Sequence, residues 1–281
     1  MKKTNLIVKF LLYLVLAAVA GITLIPIVYT IFSSFKENME ILNNSAQLLP
    51  KSFRFENYQE AWRIADFKTY TINSIMMAGT TAVGTMFFSA ISGYVFARAS
   101  FPGKNAIFYI IVSTMFVCMG SVTLYPVINV AKALHINSHV LGVSVIQIFS
   151  ANATNVFLTR NFVLRLPREL EEAAQIDGCD FFQTCVKIIL PLLKPIMATV
   201  GILSFSGSWN DYIMPMVFTL GNPKSYPLTV GLIALQSQGE AATSWNLLLA
   251  GTSMAIIPIL VIYIGFNKYF TKGLTEGAVK G

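Results

Sequence analysis

Long apolar segments constrain the fold of this chain more than any other feature of its sequence. A helix that crosses a membrane needs about 20 predominantly apolar residues, because it rises about 1.5 Å per residue across a hydrocarbon core about 30 Å thick. Six segments reach or approach this length: 10–33, 71–97, 106–130, 139–160, 195–220 and 247–270. They predict an all-α membrane protein with six transmembrane helices, in which residues 1–281 form a single transmembrane domain.

The composition agrees with this interpretation. Of the 281 residues, 55% are hydrophobic and 12% are charged, whereas soluble domains usually carry about 25% charged residues. A net charge of +7 would suggest nucleic-acid binding in a soluble protein. Here most basic residues lie beside the apolar segments, where they set membrane topology. We therefore expect membrane lipid, and no nucleic acid, among the partners.

The lysines and arginines also predict the orientation of the chain. With a cytoplasmic N-terminus and six spans, thirteen of the 20 Lys and Arg residues lie on the cytoplasmic side and seven lie outside. This bias follows the positive-inside rule and places both termini, and the long insert at 161–194, in the cytoplasm. A cleaved signal peptide ending near Ala20 is the alternative for the first segment, but the apolar run continues to Phe32.

The insert at 161–194 is charged and amphipathic, unlike the segments around it. Its sequence predicts a helix that ends at Gly178 with a positive φ, and a second helix capped by Asp180 with Gln183 three residues on. An apolar stripe follows, and Pro191 and Pro195 interrupt the backbone where the fifth segment begins. The stripe comprises Phe181, Phe182, Cys185, Val186, Ile189 and Leu190. The small Ala173 and Ala174 leave room for a partner to approach; a simple interfacial helix is the alternative.

One spacing in the insert is distinctive: Glu172-Ala173-Ala174, three residues, Gly178, nine residues, then Ile188-x-Leu190-Pro191, with Asp177 before the glycine. It resembles the "EAA loop" of importer-type ABC transporter permeases. Four other stretches resemble the carbohydrate-import branch of this family, in particular the second permease subunit of maltose-type systems. They are Phe53–Trp62, Gly93–Gly103, Trp209–Tyr212 with Pro215, and Lys272–Gly281.

The resemblance implies a fold, a location and partners. It implies the type I ABC importer permease fold in a bacterial inner membrane. It also implies a homologous second permease subunit, two ATPase subunits and an external solute-binding protein. The insert would be the coupling helix that sits in a cleft of the ATPase, and the motif residues would carry that contact: Glu172, Ala173, Ala174, Asp177, Gly178, Ile188, Leu190 and Pro191.

The chain carries no phosphate-binding loop, since the sequence Gly-x-x-x-x-Gly-Lys-Ser/Thr does not occur in it. We therefore expect ATP and Mg²⁺ to be bound by a separate ATPase subunit, with no cofactor and no catalytic residues in this chain. The three cysteines predict packing rather than disulfides. The exposed-turn histidines His135 and His139 lack nearby carboxylate or thiol partners, so no metal site is expected.

Polar residues in the fifth segment are candidates for the substrate pathway. An ionisable residue within a membrane span is a functional candidate by default, and Asp211 lies there beside Trp209, Asn210 and Tyr212. Aromatic faces with amide and carboxylate acceptors suit a hydroxyl-rich sugar; pairing of Asp211 with another helix is the structural alternative. Other polar candidates, which also suit bonds between helices, are Asn129, Gln147, Asn152 and Asn155.

The sequence therefore predicts a permease subunit of an ATP-driven sugar or oligosaccharide importer, rather than an enzyme. A permease of the same family for an amino acid, a peptide or an anion is the main alternative, because such relatives share the coupling motif. A self-sufficient ion-coupled transporter and an intramembrane enzyme are further alternatives; the chain offers no plausible catalytic set for the latter.

Overall fold

The computed structural model describes residues 6–44, 46–117, 120–150, 152–235 and 244–278. Regular structure in these residues is helical, and none of them forms a strand, so the predicted all-α fold is confirmed. The helices in chain order are α1 (Leu6–Ser33), α2 (Asn38–Asn43), α3 (Glu56–Ile64), α4 (Phe67–Arg98), α5 (Lys104–Ser113), α6 (Leu124–Ala133), α7 (Val140–Ser150), α8 (Ala153–Val163), α9 (Glu169–Ile176), α10 (Phe181–Thr184), α11 (Leu190–Leu192), α12 (Lys194–Asn210), α13 (Ile213–Thr219), α14 (Leu228–Ala234) and α15 (Trp245–Ala278).

In the described part of the chain, three helices are long and apolar enough to cross a membrane by themselves: Val8–Ser33, Phe67–Arg98 and Trp245–Gly265. They coincide with the first, second and sixth segments of the sequence analysis. Two bent pairs, α7 with α8 and Phe181–Leu192 with α12, pass the same length and composition test together, which gives up to five spans if each bent pair counts as one span. The count of six and the cytoplasmic termini stay predictions.

The third predicted segment is not one continuous helix. Within it α5 ends at Ser113 and α6 begins at Leu124, with 3₁₀ turns at Thr114–Phe116 and Gly120–Thr123. Gly120 has a φ of +53°, a left-handed conformation that cannot continue an α-helix.

The fifth predicted segment is divided too. Here α12 ends at Asn210 and α13 begins at Ile213. The backbone of Asp211 is extended, and its Oδ1 accepts a hydrogen bond from the N–H of Met214 at 3.4 Å. Short polar side chains that bond to the nearby backbone compete with the helix in this way.

Residues 1–67 with 231–257 form one compact unit, and residues 68–230 with 258–281 form another. In the first unit, Asn57 of α3 fixes the chain that follows α1. Its Nδ2 donates to the carbonyl oxygens of Ser34 at 2.8 Å and Lys36 at 2.9 Å, and its Oδ1 accepts from Asn246 at 3.0 Å. The side chain of Lys36 is fully buried and donates to the carbonyl oxygen of Gln47.

The first helix adds little to the core of that unit. None of the residues in the most apolar 18-residue window of α1 is buried. Its large apolar side chains between Val8 and Ile27, such as Phe10 and Ile22, are exposed.

Two of the apolar clusters in the second unit lie close to the insert or to the helices of the site. One joins Met77 of α4 to Val140 and Val143 of α7 and to Phe218 of α13. The other lies at the C-terminal end of α4 and attaches the insert to the ends of α4 and α8. Its buried members are Ala90, Tyr94, Ala97, Val163, Cys185, Ile189, Leu193 and Ile196. The insert is therefore packed against the helices that precede and follow it.

Candidate functional site

The insert begins with a helix that ends in a glycine turn, as the sequence predicts. Helix α9 ends at Ile176, and Gly178 has a φ of +84°. The N–H of Cys179 donates to the carbonyl oxygen of Ala174 at 2.9 Å, and the N–H of Gly178 donates to that of Gln175 at 3.0 Å. These two bonds form the Schellman motif, which needs a left-handed residue that glycine adopts without steric cost.

The second helix of the insert is capped as predicted. Oδ1 of Asp180 accepts from the N–H of Gln183 at 2.7 Å, and Oε1 of Gln183 accepts from the N–H of Asp180 at 3.4 Å. This reciprocal pair is a capping box. The helical stretch Phe181–Leu192 then meets α12 at an angle of 77°. Pro191 and Pro195 lie on either side of this bend, where their missing N–H groups weaken helical continuity.

The outer side of α9 is open to a partner. Glu172, Ala173 and Ile176, which we call the insert face, are exposed, and Ile176 is 86% exposed. On the next helix Phe182 is 68% exposed. Large apolar side chains left exposed beside a charged residue are typical of an interaction surface.

Two expectations for the insert are corrected. Ala174 is buried within the chain, so Ala173 rather than both alanines leaves room for a partner. The apolar stripe is also divided, because only some of its side chains enter the cluster at the end of α4. Its buried members are Cys185 and Ile189, and its exposed members are Phe181, Phe182 and Val186.

The remaining motif residues lie at different depths. Asp177 is exposed and follows the last residue of α9. Ile188 and Leu190 are half-buried and pack against the apolar cluster at the end of α4. Pro191 is exposed. Ile188 and Leu190 therefore hold the insert in place rather than offer a free surface.

Arg98, the last residue of α4, holds the start of α9. Its Nε donates to Oε1 of Glu171 at 2.6 Å, and its Nη2 donates to the carbonyl oxygens of Val163 at 3.2 Å and Leu166 at 2.6 Å. The side chains of Arg98 and Glu171 are only 6% and 13% exposed. One guanidinium group thus connects three segments: α4, α9 and the end of α8.

Tyr94 completes this junction one turn earlier on α4. Its hydroxyl lies 3.5 Å from Oε2 of Glu171, and its ring stacks on Phe181 with a centroid distance of 4.7 Å. The sequence does not indicate that Tyr94, Arg98 and Glu171 meet. An arginine at the end of a span is explained by the positive-inside rule, and a glutamate in a first helical turn is explained by the helix dipole. The contact between the two residues therefore cannot be predicted from either residue alone.

A polar cavity of about 420 Å³ lies among α4, α7, α8 and α12 of the second unit. Nine of its twelve lining residues carry hydroxyl, amide or carboxyl groups. Gln147 is central: its Nε2 donates to Oδ2 of Asp211 at 2.8 Å, and its Oε1 accepts from Ser208 at 2.6 Å and from Thr81 at 3.0 Å. Oγ of Ser204, also in the lining, is buried without a hydrogen-bond partner among the described residues.

The four residues predicted for the substrate pathway lie in different surroundings. Asp211 lines the cavity and is the acidic residue of its lining. Trp209 is buried and stacks on Phe205 with a centroid distance of 5.6 Å. Asn210 is exposed and Tyr212 is half-buried, and both flank Asp211 outside the lining.

The histidines and cysteines form no cluster in the described part of the chain. His135 and His139 are both exposed, and the described residues hold no group of three metal-binding side chains. Cys185 is buried in the apolar cluster at the end of α4, where it packs against its neighbours as the sequence predicts. Cys118 lies outside the described residues.

Membrane-spanning helices around a polar cavity, with an exposed insert attached to their ends, define a solute permease. Residues 105–276 match the family described as "Binding-protein-dependent transport system inner membrane component". This match covers more than half of the chain, which therefore belongs to that family of ABC transporter permeases. It is an inner-membrane component, and ATP hydrolysis takes place in separate ATPase subunits, as the sequence predicts.

Curated relatives resemble the chain over almost its whole length. The arabinooligosaccharides transport system permease protein AraQ of Halalkalibacterium halodurans is 31% identical over 100% of this chain and 99% of that protein. The melibiose/raffinose/stachyose import permease protein MelC of Bacillus subtilis is 33% identical over 95% of each chain. The diacetylchitobiose uptake system permease protein NgcG of Streptomyces coelicolor is 29% identical over 92% and 85% of the two chains.

A solved structure gives the same result for the fold. One chain of a bacterial ABC transporter involved in the import of the acidic polysaccharide alginate superposes with a TM-score of 0.80 and 25% sequence identity. The match covers 96% of this chain and 99% of that chain. The chain therefore has the ABC importer permease fold, and a self-sufficient ion-coupled transporter does not fit this family.

Proposed function

We propose that the chain forms half of the translocation pathway of an ATP-driven importer for sugars or oligosaccharides. Three relatives that match nearly all of the chain are named for import of arabinooligosaccharides, of melibiose, raffinose and stachyose, and of diacetylchitobiose. The partners would be a homologous second permease, two ATPase subunits that bind ATP and Mg²⁺, and an external solute-binding protein.

The insert is proposed to receive the motion of the ATPase. The observation that carries this proposal is the insert face, since Glu172, Ala173 and Ile176 are exposed on a helix fixed at both ends. The Schellman turn at Gly178 defines one end of that helix, and Arg98 holds the other through Glu171. A short helix attached to the spans in this way transmits a push at its face to them.

Reversing the charge at Glu172 tests the coupling role. In the complex reconstituted into vesicles with its binding protein, Glu172→Arg should lower both uptake and substrate-stimulated ATP hydrolysis by about tenfold or more, because interface hot spots commonly contribute 2 kcal/mol or more. The measurements are uptake of labelled solute and release of phosphate.

The matched control is Glu60→Arg, the same reversal at an exposed glutamate of α3, on the predicted outer side. It should leave stimulated ATP hydrolysis near the wild-type rate. Wild-type uptake and hydrolysis in Glu172→Arg would contradict the coupling role.

The polar cavity is proposed as part of the sugar pathway. Sugars present many hydroxyl groups, and the lining offers hydroxyl, amide and carboxylate partners, including the unpartnered Oγ of Ser204. Asp211 is the proposed contact in the lining, and Trp209, Asn210 and Tyr212 shape the chain around it. Hydrogen bonds to a charged group contribute about 1.5–3 kcal/mol each, so one carboxylate contact is enough to orient a sugar ring.

A size series at Gly207 tests this pathway. Gly207 lines the cavity, and a Cβ added there meets nothing within 4 Å, so a larger side chain enters the cavity without displacing its neighbours. Gly207→Phe should reduce uptake by about tenfold or more while basal ATP hydrolysis persists, because a pocket that is filled loses its ligand contacts. Gly207→Ala leaves most of the space open and should transport nearly as well as the wild type.

The solute for this test is chosen by calorimetry of the binding protein against sugars, amino acids, short peptides and inorganic anions. Equal uptake by Gly207→Phe and the wild type would show that the solute does not pass this cavity. Binding of an amino acid, a peptide or an anion in place of any sugar would refute the proposed sugar cargo.

A further inference from the structure

The attachment of α9 to the rest of the chain is polar rather than apolar. Ala174 is its one buried residue, the side chain of Glu171 is 13% exposed, and its other residues are exposed. The following stretch of the insert is different, because Cys185, Ile189 and Leu193 enter the apolar cluster at the end of α4. The helix that carries the insert face is therefore held by specific hydrogen bonds at its first turn.

Glu171 accepts two of these bonds, a long one from Tyr94 at 3.5 Å and a short one from Arg98 at 2.6 Å. The guanidinium of Arg98 uses Nε for Glu171 of α9 and Nη2 for the carbonyl oxygens of Val163 and Leu166, which follow from α8. Since a guanidinium is planar and rigid, contacts on two of its edges fix the direction of α9 relative to the ends of α4 and α8. Apolar contacts such as the stack of Tyr94 on Phe181 are less directional and permit sliding.

The pair is nearly buried, which makes it costly to break. Removing one partner of a buried ion pair leaves the other charge desolvated and unpaired. Glu171 is next to Glu172 of the insert face, so displacement of that face pulls directly on Glu171. The junction therefore resists separation of α9 from α4 during each cycle.

We infer that Arg98 is a positioning residue that makes the coupling tight. Through Glu171 it forces α4 and α8 to follow the insert face, so that each cycle of ATP hydrolysis moves the spans. Without this pair the insert still meets the ATPase, but α9 shifts on the spans and hydrolysis proceeds without transport. The inference rests on the proposed coupling role of the insert and adds the residue that determines its efficiency.

The test measures the amount of solute imported per ATP hydrolysed, in the full complex with its binding protein. Arg98→Met and Glu171→Gln should each lower this ratio by about tenfold, with ATP hydrolysis retained, because each leaves a partner of the pair uncompensated. Arg98→Lys keeps the charge but not the planar set of donors, so its ratio should fall between those of Arg98→Met and the wild type.

Two further variants separate coupling from folding. The double variant Arg98→Met with Glu171→Met removes both charges, which restores stability in many buried pairs; its yield should approach the wild type while its ratio stays low. Arg54→Met breaks the half-exposed pair of Arg54 with Glu37 in the first unit and should leave the ratio unchanged.

Three results would overturn the inference. The first is an unchanged ratio of solute imported to ATP hydrolysed in Arg98→Met. The second is a parallel loss of uptake and hydrolysis in that variant, which leaves the ratio constant. The third is a wild-type ratio in the well-folded double variant. Failure of the proposed coupling role looks different, because then Glu172→Arg itself would leave uptake and hydrolysis at wild-type levels.

Discussion

Gly142→Ala is expected to destabilise the protein severely. A methyl group built on Gly142 would overlap the carbonyl oxygen of Ile136 and lie 2.9 Å from its carbonyl carbon. These are backbone atoms, so no side chain can move aside. Small shifts of α7 are also opposed by packing, since the neighbouring Val140, Val143 and Ser144 are fully buried. Relief therefore requires displacement of α7 or of the turn before it.

The expected cost is about 3 kcal/mol, at the upper end of typical overpacking in a close-packed core. For a chain of this size that corresponds to a fall of roughly 6–12 °C in melting temperature. The measurement is thermal unfolding of the purified complex in detergent. Gly79→Ala is the matched control, because Gly79 also lies in an apolar helix but its added Cβ meets nothing within 4 Å. Equal melting temperatures for the two variants would contradict the predicted overlap.

Gly178→Val is expected to abolish most transport while the membrane helices stay folded. Gly178 has a φ of +84°, which costs a β-branched residue about 1–2 kcal/mol. No atom lies within 4 Å of an added Cβ, so the penalty comes from the backbone and not from a clash. The insert can relieve it by unwinding the Schellman turn, which would displace both the insert face and the cap at Asp180.

We expect uptake and stimulated ATP hydrolysis to fall by about tenfold, since a small misplacement of a contact surface is enough to lose its binding energy. Gly178→Asn should keep more activity, because asparagine tolerates the left-handed region. Gly221→Val is the control: its φ is +90° and its added Cβ also meets nothing within 4 Å, but it lies after α13, away from the insert. If Gly178→Val and Gly221→Val transport equally well, strain at Gly178 does not matter for coupling.

The parts of the structure that follow from local sequence were predicted well. Gly178 stops α9, and Asp180 with Gln183 caps the next helix, because each depends on residues at most a few positions apart. The three longest spans follow from apolar length alone. The breaks near Gly120 and Asp211 were missed, because hydropathy sums over a segment and does not register one residue that leaves the helical conformation.

The candidate site was predicted only where a motif marked it. The exposed Glu172 and Ala173 come from the motif, but the partner of Glu171 is Arg98, 73 positions away. Likewise Gln147 reaches Asp211 over 64 positions. Each of these four residues is explained by its local sequence, so no pattern in a single sequence predicts either of the two contacts. Long-range polar contacts depend on how the helices pack, and packing is not encoded in local periodicity.

The uncovered first helix has a consequence for how this protein can vary. At a lipid-facing position the side chain needs only to be apolar, because lipid tails are as apolar as a leucine side chain. Since the apolar window of α1 buries nothing within its own chain, its sequence should drift freely among apolar residues. A position in that window at which apolar exchanges are not tolerated would therefore contact a surface outside this chain. The positions of this helix that tolerate few substitutions identify where it contacts another subunit.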